Sequence, residues 1–120
     1  MTERPEKEMG KRLTAILEAM EDGIYVVSGD FFLEFMNKSM VRDFGKGVGK
    51  KCYRVINGLD DACPWCRAGE VFSGDTVRWE HHVSRTGKTY GLTELPLTNT
   101  DGSISNSRFS VVLPQADEKA

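Results

Sequence analysis

The sequence has no long apolar run and no excess of charge of either sign. No apolar segment approaches the roughly 20 residues that a membrane-spanning helix needs. Met1-Thr2-Glu3-Arg4 leads into charged residues and not into the apolar core of a signal peptide. The 16 basic and 18 acidic residues give no positive charge of the kind that binds nucleic acid. We therefore expect a cytoplasmic protein without a membrane or nucleic-acid partner.

Recognisable catalytic groups are also missing. The only histidines, His81 and His82, are adjacent, and adjacent side chains of a strand point to opposite faces. The sequence lacks the glycine-rich loop, catalytic loop and metal-binding Asp motif of protein kinases. Residues 45–51 depart from the phosphate-binding loop, because Phe44 replaces its first glycine and Lys51 its hydroxyl residue. The sequence therefore predicts a protein that is not an enzyme.

The 120 residues fit one domain with a single core, spanning 1–120. Apolar residues at helical spacing near the start predict an amphipathic helix over about 6–21. These residues are Met9, Leu13, Ile16, Leu17 and Met20. We expect Gly23 to end this helix in a left-handed conformation. The core is expected over about 22–113 and a frayed tail over 114–120.

Alternating apolar and polar residues predict strands within the core, and turn residues separate them. The strands are expected at 24–27, 31–36, 77–84, 89–97 and in a last segment that contains Phe109, Val111 and Leu113. Short helices are expected at 38–44, with Asn37 as the cap, at 52–57 and at 64–72. In the third strand, the alternation places Trp79 and His81 on the apolar face.

Five short motifs lie along the chain in order. They are Asp22-Gly23-Ile24, Phe35-Met36-Asn37-Lys38, Gly49-Lys50-Lys51-Cys52-Tyr53, Val71-Phe72-Ser73-Gly74, and Pro96-Leu97 followed by Asp101-Gly102. With this order and spacing, residues 9–113 resemble the PAS domain family, sensor modules of bacterial signalling proteins. The resemblance implies an α+β fold: a five-stranded antiparallel sheet flanked by short helices, with an N-terminal amphipathic helix. One subtype carries Cys-Tyr followed by Cys-x-x-Cys, as this chain does.

The cysteines Cys52, Cys63 and Cys66 are the main candidates for chemistry. An odd number in a cytoplasmic protein argues for free thiols, metal binding or redox switching, and against structural disulfides. If Pro64 opens the predicted helix, free backbone N–H groups there favour a thiolate, and Cys63 can pair reversibly with Cys66. The alternative interpretation is that the cysteines fill the core as small apolar residues.

Metal binding is a further alternative, since Cys52, Cys63 and Cys66 with His81 would supply the four ligands of a zinc site. An iron–sulfur cluster on the three cysteines is a less usual arrangement. Haem attached through Cys-x-x-Cys-His is disfavoured, because Arg67 stands in place of the histidine. The flavin-adduct motif of light-sensing relatives is disfavoured, because Lys51 and Tyr53 flank the cysteine.

The resemblance also implies a pocket between the sheet and the short helices, and aromatic-rich concavities are ordinary ligand sites. The candidate lining residues are Tyr25, Phe35, Tyr53, Trp65, Phe72 and Trp79. We predict a sensory domain that binds a small ligand or metal, or senses redox state, and passes a conformational change to a partner. The expected partners are a second copy, through the N-terminal helix, and a histidine kinase or other output domain. The alternatives are a ligand-free dimerisation module and a small thiol–disulfide redox protein.

Overall fold

A five-stranded antiparallel sheet forms the centre of the computed structural model, which describes residues 5–114. The helices are α1 (Pro5–Ala19), α2 (Lys38–Phe44), α3 (Cys52–Asn57) and α4 (Ala68–Phe72). The strands are β1 (Gly23–Val27), β2 (Leu33–Met36), β3 (Val77–Val83), β4 (Lys88–Thr98) and β5 (Ile104–Val112). The predicted α+β class, with its antiparallel sheet and N-terminal helix, is confirmed. Apart from Pro114, the predicted frayed tail lies outside the described residues.

The last strand is the central one, because the strand order is β2-β1-β5-β4-β3. β5 pairs antiparallel with β1 on one side and with β4 on the other. The register sets Arg108 of β5 directly between Tyr25 of β1 and Glu94 of β4. Residues aligned in this way share one face of a sheet, so three side chains from distant parts of the sequence meet.

Helices α2, α3 and α4 cover one face of the sheet, which we call the inner face. An apolar cluster fills the space beneath α2 and α3. It contains Tyr25, Val27, Leu33, Met36, Met40, Cys52, Val55 and Ile56. α4 buries Ala68 and Val71. The alternation predicted for the third strand is confirmed, since Val77 and Val83 are buried while Arg78, Glu80 and His82 are exposed.

Asn37 joins the end of α1 to β1 and α2. Its Oδ1 accepts hydrogen bonds from the backbone N–H of Met40, which caps α2 as predicted, and from that of Ile24. Its Nδ2 donates to the carbonyl oxygens of Leu17 at 2.8 Å and Asp22 at 2.9 Å. The side chain is completely buried, and both its donors and its acceptor are used.

Two local predictions are wrong. α1 ends at Ala19, and Gly23 begins β1 and does not cap the helix. A Cβ at Gly23 would lie 2.6 Å from Met40 Sδ, because α2 packs closely there, so any larger residue would force the Met40 side chain to shift. The helix predicted at 64–72 is only Ala68–Phe72. A turn that precedes it carries Pro64 and Trp65.

The apolar stripe of α1 is present but has little protein against it. Met9, Leu13 and Ile16 are 49%, 53% and 57% exposed. Leu17 and Met20, near the end that Asn37 holds, are half-buried. Among residues 5–114, no helix is both long and apolar enough to cross a membrane.

Candidate functional site

A small cavity lies between the inner face of the sheet and the segment that joins α3 to α4. The sheet contributes Tyr25, Trp79, His81, Leu92 and Arg108 to its lining. α3 and the segment after it contribute Cys52, Tyr53, Cys63, Trp65 and Cys66. All three cysteines therefore line one space, which we call the cysteine cavity. Sequence spacing alone did not show that they meet there.

The cysteine cavity has room for little more than a water molecule. The space open to the centre of a water molecule is about 20 Å³, and one water needs roughly 10–15 Å³. A drug-sized ligand occupies a pocket of roughly 300–1,000 Å³. In the arrangement that the structure shows, the cavity admits a water molecule or a ligand of similar size.

Cys63-Pro64-Trp65-Cys66 forms a β-turn, and this corrects the prediction that it begins a helix. The N–H of Cys66 donates to the carbonyl oxygen of Cys63 at 3.0 Å. Pro64 takes the second position of the turn, where its fixed φ is favourable. The two cysteines are thus the first and last residues of one turn, and the helix begins only at Ala68, whose N–H donates to the Cys66 sulfur at 3.5 Å.

Arg108, which lines the cysteine cavity, forms a buried ion pair with Glu94. Arg108 is 8% exposed and Glu94 is fully buried, and Arg108 Nε lies 3.2 Å from Glu94 Oε1. Arg108 Nη1 donates to the Tyr25 hydroxyl at 3.2 Å. Burial lowers the pKa of Arg108, but Tyr25 and Glu94 outweigh this and raise it above its usual value, so the guanidinium stays charged.

Further hydrogen bonds hold the Glu94 carboxylate in place. Trp79 Nε1 donates to Oε2, and Asn106 Nδ2 donates to Oε1 at 2.8 Å. Two buried polar atoms have no hydrogen-bond partner among the described residues, namely Asn106 Oδ1 and Arg108 Nε. The Nε atom is at ion-pair distance from Glu94 without making a hydrogen bond to it. Buried polar groups are normally satisfied, so Arg108 and Asn106 keep unused hydrogen-bonding capacity.

The three thiols have different surroundings. Burial raises the pKa of Cys52 from 9.0 to about 11, although Arg108 opposes the shift. Burial also raises the pKa of Cys63, whose sulfur accepts a hydrogen bond from Asn57 Nδ2 at 3.3 Å. The sulfur of Cys66 receives two donors, the Ala68 N–H at 3.5 Å and Arg108 Nη2 at 3.7 Å. Cys66 is therefore the thiol that contacts the buried cation.

His81 faces the cysteine cavity, as the alternation predicted. The centroid of its ring lies 5.2 Å from the ring centroids of both Trp65 and Trp79. Its Nε2 is 3.4 Å from Asn57 Oδ1. Within residues 5–114, no three side chains of His, Cys, Asp or Glu come together in a way that could hold a metal ion. The predicted zinc set of Cys52, Cys63, Cys66 and His81 shares a cavity but does not form a ligand cluster.

Four of the six predicted aromatic residues line the cysteine cavity, namely Tyr25, Tyr53, Trp65 and Trp79. The prediction is wrong for Phe35, which pairs with Val26 next to the Tyr25–Met36 pair. Its side chain is therefore on the outer face of the sheet. Phe72 lies at the end of α4 and packs edge-on against Phe31, with ring centroids 6.4 Å apart.

Sequence reasoning missed Arg108, Glu94 and Asn106. A signal was present for two of them. Glu94 follows the inward-facing Leu92 at a spacing of two, and Arg108 precedes the buried Ser110 at the same spacing. Charged residues that stand at the inward-facing positions of a strand's alternation indicate a buried polar site.

Solved structures share this architecture. A PAS domain of an HTR-like protein from Haloarcula marismortui aligns with a TM-score of 0.68 and 17% identity, covering 89% of this chain and 99% of that one. The PAS domain of nitrogen regulation protein NR(II) from Vibrio parahaemolyticus aligns with a TM-score of 0.66 and 12% identity, covering 84% and 97%. The chain has the PAS fold. No protein-family model and no curated protein sequence matches it.

A third structure with the PAS fold is a domain of a sensory box sensor histidine kinase/response regulator from Geobacter sulfurreducens. It has a TM-score of 0.66 and 19% identity, and the alignment covers 89% of this chain and 96% of that one. Identities this low establish the fold alone. What this PAS-fold chain does must therefore be argued from its own residues.

Proposed function

We propose that the chain is a sensory domain of a signalling protein, and that its input is the oxidation state of the cysteine cavity. One observation carries the proposal: Cys52, Cys63 and Cys66 line a single small cavity beside the buried, charged Arg108. Cysteines that only fill a core need no cation beside them. A cation beside a thiol stabilises the thiolate, which is the form that oxidants attack.

The geometry favours redox input over the other two kinds of input. An organic ligand would need a space many times larger than about 20 Å³. A metal ion would need a ligand cluster, which the described residues do not contain. Oxidation of a thiol needs neither, because the oxidant can be as small as a peroxide. In a cytoplasmic setting the thiols are kept reduced, so their oxidation would be a signal.

The proposed output runs through β5 and α1. Arg108 is part of β5, and β5 pairs with both β1 and β4, so a change at the cavity acts on the centre of the sheet. β1 follows α1, whose end is held by Asn37. The Geobacter sulfurreducens neighbour comes from a sensor histidine kinase. By analogy, we propose a kinase or another output domain as the partner of this chain.

A ligand-free dimerisation module is the second candidate, and the exposed stripe of α1 favours it. Met9, Leu13 and Ile16 are about half exposed on one face of a helix that lies largely in solvent. A second copy could cover this stripe, since helix pairs bury apolar stripes of this spacing. A sensory domain can also dimerise through α1. The two candidates therefore differ only in whether the cysteine cavity responds to an input.

Native mass spectrometry of anaerobically purified protein, before and after hydrogen peroxide, tests the proposal. Before peroxide, we expect a mass that corresponds to three free thiols. After peroxide, we expect the mass to fall by the two hydrogen atoms that are lost when one disulfide forms. Hydrogen–deuterium exchange should change in β5 and at the end of α1 at the same time. Replacing Cys63→Ser together with Cys66→Ser should abolish both changes, while Cys52→Ala serves as the matched control that keeps the turn.

Two other outcomes would contradict the proposal. A dimer whose thiols and exchange do not respond to peroxide would favour the dimerisation module. Sustained reduction of insulin disulfides in the presence of dithiothreitol would instead indicate a thiol–disulfide oxidoreductase, because a sensor has no need of turnover.

A further inference from the structure

We propose that Cys66 is the thiol that hydrogen peroxide oxidises, that Arg108 positions and stabilises its sulfur, and that Cys63 then closes a disulfide within the turn. This inference rests on the proposed redox function and names the order of events at that site. In this inference the Cys66 thiol is the group that is oxidised, and Arg108 acts by holding it in position.

The first support is the pair of donors at Cys66. The Ala68 N–H and Arg108 Nη2 lie 3.5 Å and 3.7 Å from its sulfur. Of these two donors, the Arg108 guanidinium is charged, and a charged donor interacts more strongly with negative charge that develops on an acceptor than a neutral donor does. Cys66 is half-buried, so a small oxidant can approach from solvent while the guanidinium approaches from the sheet.

The second support is that the other two thiols are less suited to react first. Cys52 is 5% exposed, and its pKa of about 11 keeps it protonated at neutral pH. Cys63 has a raised pKa and a neutral amide donor, Asn57 Nδ2, where Cys66 has a cation. Reactive cysteines are partly exposed and lie next to cations, and Cys66 combines partial exposure with a direct contact to Arg108.

The third support is the turn, which makes Cys63 the nearest partner in the chain. The first and fourth Cα atoms of a β-turn lie within about 7 Å of each other. Disulfides need Cα atoms roughly 4.4–6.8 Å apart. Cys63 and Cys66 are the first and fourth residues of their turn, so the turn brings their Cα atoms into the range that a disulfide needs.

The chemistry balances without a metal or cofactor. The Cys66 thiolate attacks one peroxide oxygen. An S–O bond forms, the O–O bond breaks, and the departing hydroxide takes a proton to leave as water. The Cys63 thiolate then attacks the sulfur of the sulfenic acid. An S–S bond forms, the S–O bond breaks, and the second oxygen leaves as water once protonated. Two thiols have lost two electrons, and one peroxide has become two waters.

The size of the cavity argues for hydrogen peroxide as the oxidant. The space of about 20 Å³ beside Arg108 suits a molecule of two oxygen atoms. Bulky organic hydroperoxides and glutathione disulfide are far larger than this space. At equal concentration, cumene hydroperoxide should therefore oxidise Cys66 at least about tenfold more slowly than hydrogen peroxide does, because its shape does not match the site.

The experiment traps sulfenic acid with dimedone during short exposure to hydrogen peroxide and locates it by peptide mass spectrometry. In the whole chain with Cys63→Ser, which blocks the second step, we expect the label on Cys66. Without that substitution, we expect a disulfide between Cys63 and Cys66. Label on Cys52 in that chain, or faster label on Cys63 in a matched Cys66→Ser chain, would overturn the inference and leave the redox function standing. No oxidation of any cysteine would overturn both.

Arg108 is tested with variants that keep the fold. Arg108→Gln alone leaves Glu94 buried without its partner, so it is combined with Glu94→Gln, and folding is checked by circular dichroism. This pair should slow oxidation of Cys66 by at least about tenfold, the scale of one opposite charge beside a thiolate. Arg108→Lys keeps the charge and should stay within about threefold of the unmodified chain. Equal rates in all folded variants, or equal loss with lysine, would remove Arg108 from the mechanism.

Discussion

The two halves of the inner face differ in what they bury. Beneath α2 and α3 the sheet buries an apolar cluster that includes Val27, Leu33 and Met40. Towards α4 and the turn it buries Glu94, Asn106 and Arg108. Burial of apolar area stabilises a fold directly. A buried ion pair pays a desolvation penalty that can exceed its attraction. The apolar half therefore accounts for the stability of the fold, while the charged half is better explained by a function.

The largest predicted loss of stability comes from disrupting the ion pair in the charged half. Arg108→Leu leaves the Glu94 carboxylate buried without a cation, and we expect the free energy of unfolding to fall by about 3–5 kcal/mol. Adding Glu94→Leu should restore much of that loss, because no charge then remains buried. Urea unfolding at neutral pH measures both variants. If the double variant is as unstable as the single one, the ion pair contributes to stability and the contrast between the halves is wrong.

The apolar half is tested by Leu33→Ala. Leu33 is 1% exposed, and removing a buried leucine side chain lowers the free energy of unfolding by about 2–5 kcal/mol through lost burial and the resulting cavity. Val48→Ala is the matched control, since Val48 is 58% exposed and should change stability by less than about 0.5 kcal/mol. The peroxide response of the folded Leu33→Ala protein should be unchanged. A lost response would show that the two halves are not separable.

The smallest predicted effect concerns Cys52, which belongs to the apolar cluster and also lines the cysteine cavity. Its pKa is raised by burial from 9.0 to about 11, so the neutral thiol stabilises the folded state. That stabilisation is complete below about pH 9 and is lost as the pH rises through about 11. Iodoacetamide labelling followed by mass spectrometry should find Cys52 slow at pH 8 and faster towards pH 11. Rapid labelling of the folded protein at pH 8 would contradict this assignment.

Local patterns predicted most of the fold. The α3 helix was predicted with the bounds that it has, and the alternation of residues 77–84 correctly placed Trp79 and His81 inward. Pro64 was misinterpreted because proline favours both the first turn of a helix and the second position of a β-turn. In the turn, Trp65 contacts His81 of β3, with 5.2 Å between ring centroids. This contact depends on packing against a strand that is distant in the sequence, so no local pattern predicts it.

The candidate site was less predictable, since it depends on pairing between strands. The cysteines and four aromatic residues were identified as candidates from their types and positions. Glu94 and Arg108 become neighbours only through the register between β4 and β5, which no local pattern encodes. Their alternation with inward-facing residues could have indicated that each is buried. That they pair with each other, and that the cation contacts Cys66, is visible only in the folded chain.

The stacking at His81 gives the protein a built-in optical probe. The sequence contains two tryptophans, Trp65 and Trp79, and both lie against the same imidazole ring. Indole emission from this chain therefore originates entirely at the proposed input site, with no background from the rest of the fold. Because Trp65 sits between Cys63 and Cys66, a disulfide across the turn would move one emitter relative to the other. Ordinary ultraviolet fluorescence can then follow the state of the site in unlabelled protein.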